Sequence, residues 1–397
     1  KCQARISCTE VVRKISIEIW SAQMGAFLIH PICASRRTKM TVYSNPKKEY
    51  KGKIEDYPLE NYPDYEPGKP PRIEKTMEID YLDEVERIWG KKWGGNQGIG
   101  KLREAALVMP TEHELNPLWA KDRNFFWFRR EKLELDKVQK AIANLGKLLE
   151  SNGVKVHWME IDETMGAYGP MRKLFMAAYP LILKGGAILP REASGSYMRG
   201  MEVNFVKFLT KINCPVIHMV IGKGLFGAGA CVQIAEDVIM LFKSVSSNED
   251  GIDQVIPVLR RCGIKETPIA HLTTIYDDFE SGGEFHLDMI IGILALRKAV
   301  VYPGYLDFEM FKWLKSKSFK VIEIPRDEHH RYYPANCLIL EPGRVIMTSE
   351  AKETIRRVRE AGVEVIEFDG SGLRSGANGI RCVVMQLVRD PGPSLED

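Results

Sequence analysis

The sequence predicts an α/β protein in which five ββαβ units close into a ring, on three observations. A pattern of paired strand, helix and strand recurs along residues 103–388, at roughly 50 residues per unit, a period at which repeat architectures occur. The final apolar stretch, 383–388, has no helix after it. Its missing partners stand at the other end of the chain, and pairing the two ends leaves no sheet edge open.

Taken in order, 104–109 reads as a strand, 133–149 carries apolar residues at helical spacing, and 154–158 is again a strand. The next unit pairs 181–183 with 187–189 around Lys184-Gly185-Gly186, then runs through a helix at 199–212 and a strand at 215–221. Strands 232–235 and 238–241 flank Glu236-Asp237 and lead to a helix at 252–262 and a strand at 268–274. A further unit follows at 289–294, 299–302, 308–315 and 320–324, and another at 338–340, 345–348, 351–361 and 363–368. The turn residues, and the switch from twofold to 3.6-residue periodicity, support these assignments. A generic α+β sheet with helices outside satisfies the same pattern.

Composition narrows the function. The 397 residues are 45% hydrophobic and 27% charged with a net charge of only +3, so no basic field points to nucleic acid or an anionic membrane as partner. No apolar run is long enough to span a bilayer. Eight cysteines occur without CxxC spacing, which suggests neither a metal site nor a disulfide framework but reduced thiols in a cytoplasmic protein. No spacing implies an organic cofactor, and the expected partner is a small-molecule substrate. Residues 1–39 look foreign to the rest: they begin at Lys1 and end in Arg36-Arg37-Thr38-Lys39 before Met40. They read as a transit peptide, or as translated sequence upstream of a start at Met40. Residues 40–99 form a Pro/Tyr-rich arm, densest in Pro and Tyr over 41–75, and 100–392 form the catalytic domain.

If the units are equivalent, the segments leading into each first strand meet at one end of the central channel. These are Ala177-Ala178, Gly227-Ala228-Gly229-Ala230, Phe285-His286-Leu287-Asp288, Asn336 and Arg381-Cys382. The ring therefore brings Cys382, His286 and Asp288 together from distant parts of the chain. A thiol beside an imidazole suits nucleophilic catalysis, with the histidine as base or ion-pair partner. Asp288, expected on the same strand face as His286, suits holding a cationic group or orienting the ring. Cys382 follows a stretch with three glycines, Gly372, Gly376 and Gly379, and adjoins Arg381, whose charge favours thiolate. Cys214, Cys231, Cys262 and Cys337, embedded in apolar patterns, read as small core residues. His329-His330 lie among charged residues and read as solvated.

The ordered segments Phe285-His286-Leu287-Asp288-Met289, Asn336-Cys337-Leu338-Ile339-Leu340-Glu341-Pro342-Gly343-Arg344-Val345 and Gly376-Ala377-Asn378-Gly379-Ile380-Arg381-Cys382 resemble the guanidino-group-modifying enzymes. That group holds arginine deiminase, dimethylarginine dimethylaminohydrolase and the amidinotransferases. The resemblance covers about residues 100–390 and implies the pentein fold, a five-bladed ββαβ propeller with pseudo-fivefold symmetry. It also implies that Cys382 attacks an amidine carbon to form a covalent adduct while His286 serves as acid and base. Asp288 would then grip the substrate, and Arg381 and Arg199 would meet a substrate carboxylate. The acceptor of the second step can be water or an amine. Two motifs depart from the family. Ala177-Ala178 stands where an Arg-Asp pair is usual, unless Arg172-Lys173 or Lys121-Asp122 is its counterpart. Phe226-Gly227-Ala228-Gly229-Ala230 stands where an acid-bearing Phe-Glu-Gly-Gly-Asp is usual. A cationic guanidinium needs such acids once desolvated. The sequence therefore predicts an enzyme cleaving a C–N bond of an amidine-type or less charged substrate. The alternative is a catalytically altered pentein that binds or scaffolds.

Overall fold

The structure, a computed structural model, describes residues 50–112, 134–160, 165–166, 168–170, 179–191, 199–244, 246–271, 286–374 and 379–397. The chain divides into two compact units, Lys1–Tyr57 and Pro58–Asp397. Of the first, the described part is a short extended stretch with one 3-10 turn, Ile54–Asp56, and Tyr50 edge-on to Tyr57. Residues 1–39, Lys121-Asp122, Arg172-Lys173 and Ala177-Ala178 lie outside the described residues.

The second unit opens with two helices, α1 (Ile73–Met77) and α2 (Tyr81–Trp89). Asp80 caps α2 by accepting from the Leu82 N–H, and Gly90 ends it in the left-handed conformation that a residue without a Cβ adopts freely. There follow β1 (Leu102–Leu107), α3 (Leu135–Ser151), β2 (Lys155–Trp158) and the short pair β3 (Met165–Gly166) and β4 (Gly169–Pro170). Helix α3 buries Val138, Ala141, Ile142, Leu145 and Leu149, one face of a 3.6-residue period.

Three units then repeat one pattern. They are β5 (Leu181–Leu183), β6 (Gly186–Leu189), α4 (Glu202–Lys211), β7 (Val216–Met219); β8 (Cys231–Ala235), β9 (Val238–Lys243), α5 (Glu249–Arg261), β10 (Ile269–His271); and β11 (Ile291–Ala295), β12 (Lys298–Val301), α6 (Phe308–Ser316), β13 (Lys320–Glu323). After α7 (Arg326–Tyr332) comes β14 (Leu338–Glu341), β15 (Arg344–Thr348), α8 (Lys352–Glu360), β16 (Glu364–Phe368), then α9 (Ser371–Arg374) and β17 (Met385–Arg389). In each unit the first two strands run antiparallel as a hairpin and the third returns parallel to the second, as a crossover helix requires.

The fifth three-stranded sheet is made from both ends of the unit. β17 pairs antiparallel with β1, and β1 pairs parallel with β2. The last strand therefore takes the place of a first strand, which is the join expected from the missing helix. First strands pack on one another, β8 on β11 and β11 on β14. Both faces of β8 are covered: all five of its residues are buried, the polar Gln233 among them.

Two details depart from expectation. The strand after His286 begins at Ile291, so Asp288 is not on a strand face shared with His286; Asp288 lies in the 3-10 turn Leu287–Met289, and His286 is the extended residue just ahead of it. His329 is not solvated. It lies in α7, fully buried, its ring stacked on Tyr302 at 3.8 Å, beside Glu328, which is buried too and accepts from the Thr354 N–H and hydroxyl.

Candidate active site

Three first strands are reached through the same local device. A 3-10 turn at Ala228–Ala230 precedes β8, one at Leu287–Met289 precedes β11, and one at Arg381–Val383 precedes β17. A tight turn ahead of a buried strand aims its side chains at the strand ends. All nine turn residues are buried, and the first two turns pack together.

Asp288 and Arg381 form the charged centre. Arg381 Nη1 stands 2.8 Å from Asp288 Oδ2, and both residues are almost wholly buried. Arg381 Nη2 donates to the Cys231 carbonyl and to Gln233 Oε1, each at 3.2 Å. Burial pushes the Asp288 carboxyl upward, and the neighbouring Arg381 guanidinium is the largest influence opposing that shift. Asp288 Oδ1 is buried and has no hydrogen-bond partner among the described residues. A buried acceptor left open is a place for a ligand N–H.

Asn336 ties the turns. Its Oδ1 accepts the Cys382 backbone N–H at 3.0 Å, and its Nδ2 donates to the Asp288 carbonyl at 3.3 Å. Gly379 lies so close to the Asn336 side chain that any Cβ there would overlap it. The Cys382 Sγ lies 3.7 Å from the Met289 Sδ, which seats the thiol against the turn that carries Asp288.

His286 packs against Gly229 and Tyr179. A Cβ on Gly229 would come within 2.7 Å of the His286 ring at Cγ and Nδ1, and Tyr179 packs edge-on with ring centroids 6.1 Å apart. The Gly-Ala-Gly-Ala segment thus does more than lack acids: its missing side chain is the space the imidazole occupies.

Four other described thiols are buried. Burial pushes Cys231 and Cys337 each up to about 12 and moves Cys214 and Cys262 in the same direction. Such thiols are poor nucleophiles. Arg199, just ahead of α4, has a buried Nη1 with no hydrogen-bond partner among the described residues. Among the described residues it makes none of the contacts given above for Arg381, Asp288 and Cys382. Tyr179, Gln233 and Met289 were not legible as members of this group. Gly229 and Asn336 were placed among the lead-in segments, but the contact of one with the His286 ring and the clasp made by the other were not legible. Among the described residues, no three His, Cys, Asp or Glu side chains cluster as metal ligands do, and no helix is long and apolar enough to cross a membrane.

Comparison with known proteins gives three results. The family model for arginine deiminase matches residues 303–389. The chain is 32% identical over 360 residues to a 2-nitroimidazole nitrohydrolase of Mycobacterium sp. (strain JS330), a match spanning 86% of this chain and 94% of that one. Arginine deiminase of Mycobacterium avium (strain 104) is 41% identical over only 56 residues, 14% of each chain. Among solved structures, a dimethylarginine dimethylaminohydrolase from Pseudomonas aeruginosa complexed with citrulline superposes with a TM-score of 0.56 at 19% identity, covering 72% of this chain and 99% of that one. An amidinotransferase of the saxitoxin pathway from Microseira wollei gives 0.59 at 17% identity, over 77% and 99%. These last two are likenesses of fold.

Proposed function

The chain belongs to the guanidino-group-modifying, or pentein, superfamily, and from that membership we propose that it is a cytoplasmic C–N hydrolase acting on a neutral N–C–N carbon, the C2 of a 2-nitroimidazole-type ring. In this reading the five sheets are the blades of a pseudo-fivefold propeller and the three turns line the mouth of its channel. The observation that carries the substrate class is the charge balance of the centre. Its one described carboxylate, Asp288, is already paired with Arg381, and the turn at Ala228–Ala230 offers none. A guanidinium would be desolvated there without a free counter-charge, which costs several kcal/mol. A neutral ring carries no such cost, yet its C2 lies between two nitrogens, as a guanidine or amidine carbon does.

The chemistry follows from that carbon. The Cys382 thiolate adds to C2, and the electron pair of the C=N bond moves onto the ring nitrogen. Collapse breaks the C–NO2 bond and releases nitrite, leaving C2 bonded to sulfur. Nitrite is a weak base and leaves without a proton, whereas an amine would need a general acid. His286 then takes a proton from water as its oxygen attacks C2. The C–S bond breaks, thiolate is regenerated, and the products are a 2-hydroxyimidazole, in its imidazolone form, and nitrite. Asp288 Oδ1 accepts the ring N–H, and Arg381 keeps that carboxylate charged and fixed. Arg199 is retained as a contact for the polar substituent.

Nitrite release from 2-nitroimidazole, measured beside ammonia or amine release from arginine, methylated arginines and agmatine, tests this reading. The expected result is nitrite from the wild type, none from Cys382→Ser, and little release from the cationic substrates. Equal turnover of arginine would sink the substrate class. A folded protein that binds these molecules but turns over none would favour the scaffold reading.

A further inference from the structure

Below the turns, a line of buried polar side chains runs into the core. Arg389, at the end of β17, is buried and faces no carboxylate among its hydrogen-bond partners. Its Nε donates to the Gly95 carbonyl at 3.0 Å, its Nη1 to Gly100 at 2.6 Å, and its Nη2 to Ile339 at 2.7 Å and to Gln386 Oε1 at 2.6 Å. Burial, with Arg381 nearby, brings this guanidinium down to about 9, so it is still a cation near neutral pH. Gln386 Oε1 also accepts from Gln233 Nε2 at 3.0 Å, and Gln233 Oε1 accepts from Arg381. Gln233, Gln386 and Arg381 line a small cavity of about 20 Å³ whose other walls include Val232, Ile291 and Leu338.

The direction of this line is forced. Arginine has donors and no acceptor, so an amide beside it must present oxygen. Arg389 therefore turns the Gln386 oxygen inward, that oxygen draws the nitrogen of Gln233, and the oxygen of Gln233 is left facing Arg381. Every amide has one orientation only, and the order reaches the Arg381–Asp288 pair. In this buried site a reversed amide would leave a donor against a donor, which is costly.

We infer that Gln233, Gln386 and Arg389 are positioning residues that orient Arg381, and through it Asp288, at the mouth of the channel. The inference rests on the reading of Cys382 as the nucleophile beside Arg381. It predicts an asymmetry between two isosteric changes. Gln386→Glu keeps an acceptor for both Arg389 and Gln233 and preserves the line. Gln233→Glu replaces the donor that meets Gln386 Oε1 by a second acceptor and offers Arg381 a carboxylate in competition with Asp288.

The test is alkylation of Cys382 by a haloacetamidine, followed on the full chain by mass spectrometry across pH, with thermal unfolding of each variant. Gln386→Glu is expected within about threefold of the wild-type rate at an unchanged pH midpoint, while Gln233→Glu and Gln386→Leu slow by about tenfold or more with the midpoint moved upward, because a displaced Arg381 no longer favours thiolate. Gln233→Met repeats the comparison should Gln233→Glu not fold. The inference is overturned if the two glutamate variants behave alike, or if all folded variants alkylate as the wild type does. Nitrite release is measured in parallel. A wild type alkylated at Cys382 that releases no nitrite refutes the proposed substrate, while the alkylation ratios still decide this inference.

Discussion

The turns at Ala228–Ala230 and Leu287–Met289 share one backbone form and lead into neighbouring buried strands, yet one carries only methyl groups and hydrogens and the other a buried carboxylate. The third turn, Arg381–Val383, carries the cation and the thiol. What the difference teaches is a division of labour. The 3-10 lead-in is a geometric device that brings three chain segments to one place, and chemistry depends on which side chains it delivers. The empty turn is also functional by its emptiness, since the His286 ring rests where a Gly229 side chain would project.

The sharpest way to break the comparison is to empty the third turn as well. Cys382→Ala is expected to lower turnover by about a thousandfold or more while leaving the fold intact, because the proposed nucleophile has no substitute. Nitrite release and thermal unfolding, measured together, check it; turnover that survives would remove the thiol from the mechanism.

Filling the empty turn comes next. Gly229→Ala places a Cβ 2.7 Å from the His286 ring, and displacing the ring by about an ångström is expected to cost on the order of a hundredfold in rate. The accompanying overpacking should cost about 1–3 kcal/mol by chemical denaturation. A Gly229→Ala variant with wild-type rate would show that His286 has room to yield.

Loosening the link between the loaded turns should do less. Asn336→Ala frees the Cys382 N–H and the Asp288 carbonyl, with an expected loss of about 1–3 kcal/mol for buried groups left unpaired. A fall of about tenfold in rate is expected alongside it, from the looser placement of the nucleophile. Denaturant titration and steady-state rates measure the two parts separately.

The smallest effect is expected away from all three turns, at Glu104 in β1. Burial raises this carboxyl, but hydrogen bonds from His157 and Lys91 outweigh it and hold it at about 2 against an ordinary 4.5. The folded chain therefore binds this proton less tightly than the unfolded chain does. Its contribution to stability is present above pH 4.5 and is lost as the pH falls from 4.5 towards 2. Glu104→Gln should leave turnover unchanged and flatten the acid limb of stability in that window, as acid titration of thermal unfolding would show. A shift in turnover instead would tie this sheet to the site.

Much of the architecture was legible because the signals are local. Hairpin turns such as Lys184-Gly185 and Glu236-Asp237, the amphipathic period of α3 and the absence of a helix after the last strand are all readable within a few residues. Strand edges were less so: β11 starts two residues after the predicted position because the 3-10 turn ahead of it has the same apolar residues a strand would have. The burial of His329 was illegible for a similar reason: its neighbours along the chain are charged, yet both Glu328 and His329 are buried.

By itself the sequence determined the order of strands and helices, the pairing of the two ends and the list of chemical groups that three lead-in segments deliver. Only the tertiary structure decided how those groups meet. That Gly229 lies against His286, that Arg381 is spent on Asp288, that Asn336 clasps two turns and that Gln233 and Gln386 align beneath them are contacts between segments some 45 to 160 residues apart. The physical reason is that periodicity is a property of neighbours along the chain. A hydrogen bond across sheets depends on the register and tilt with which separate units pack, which no local pattern records.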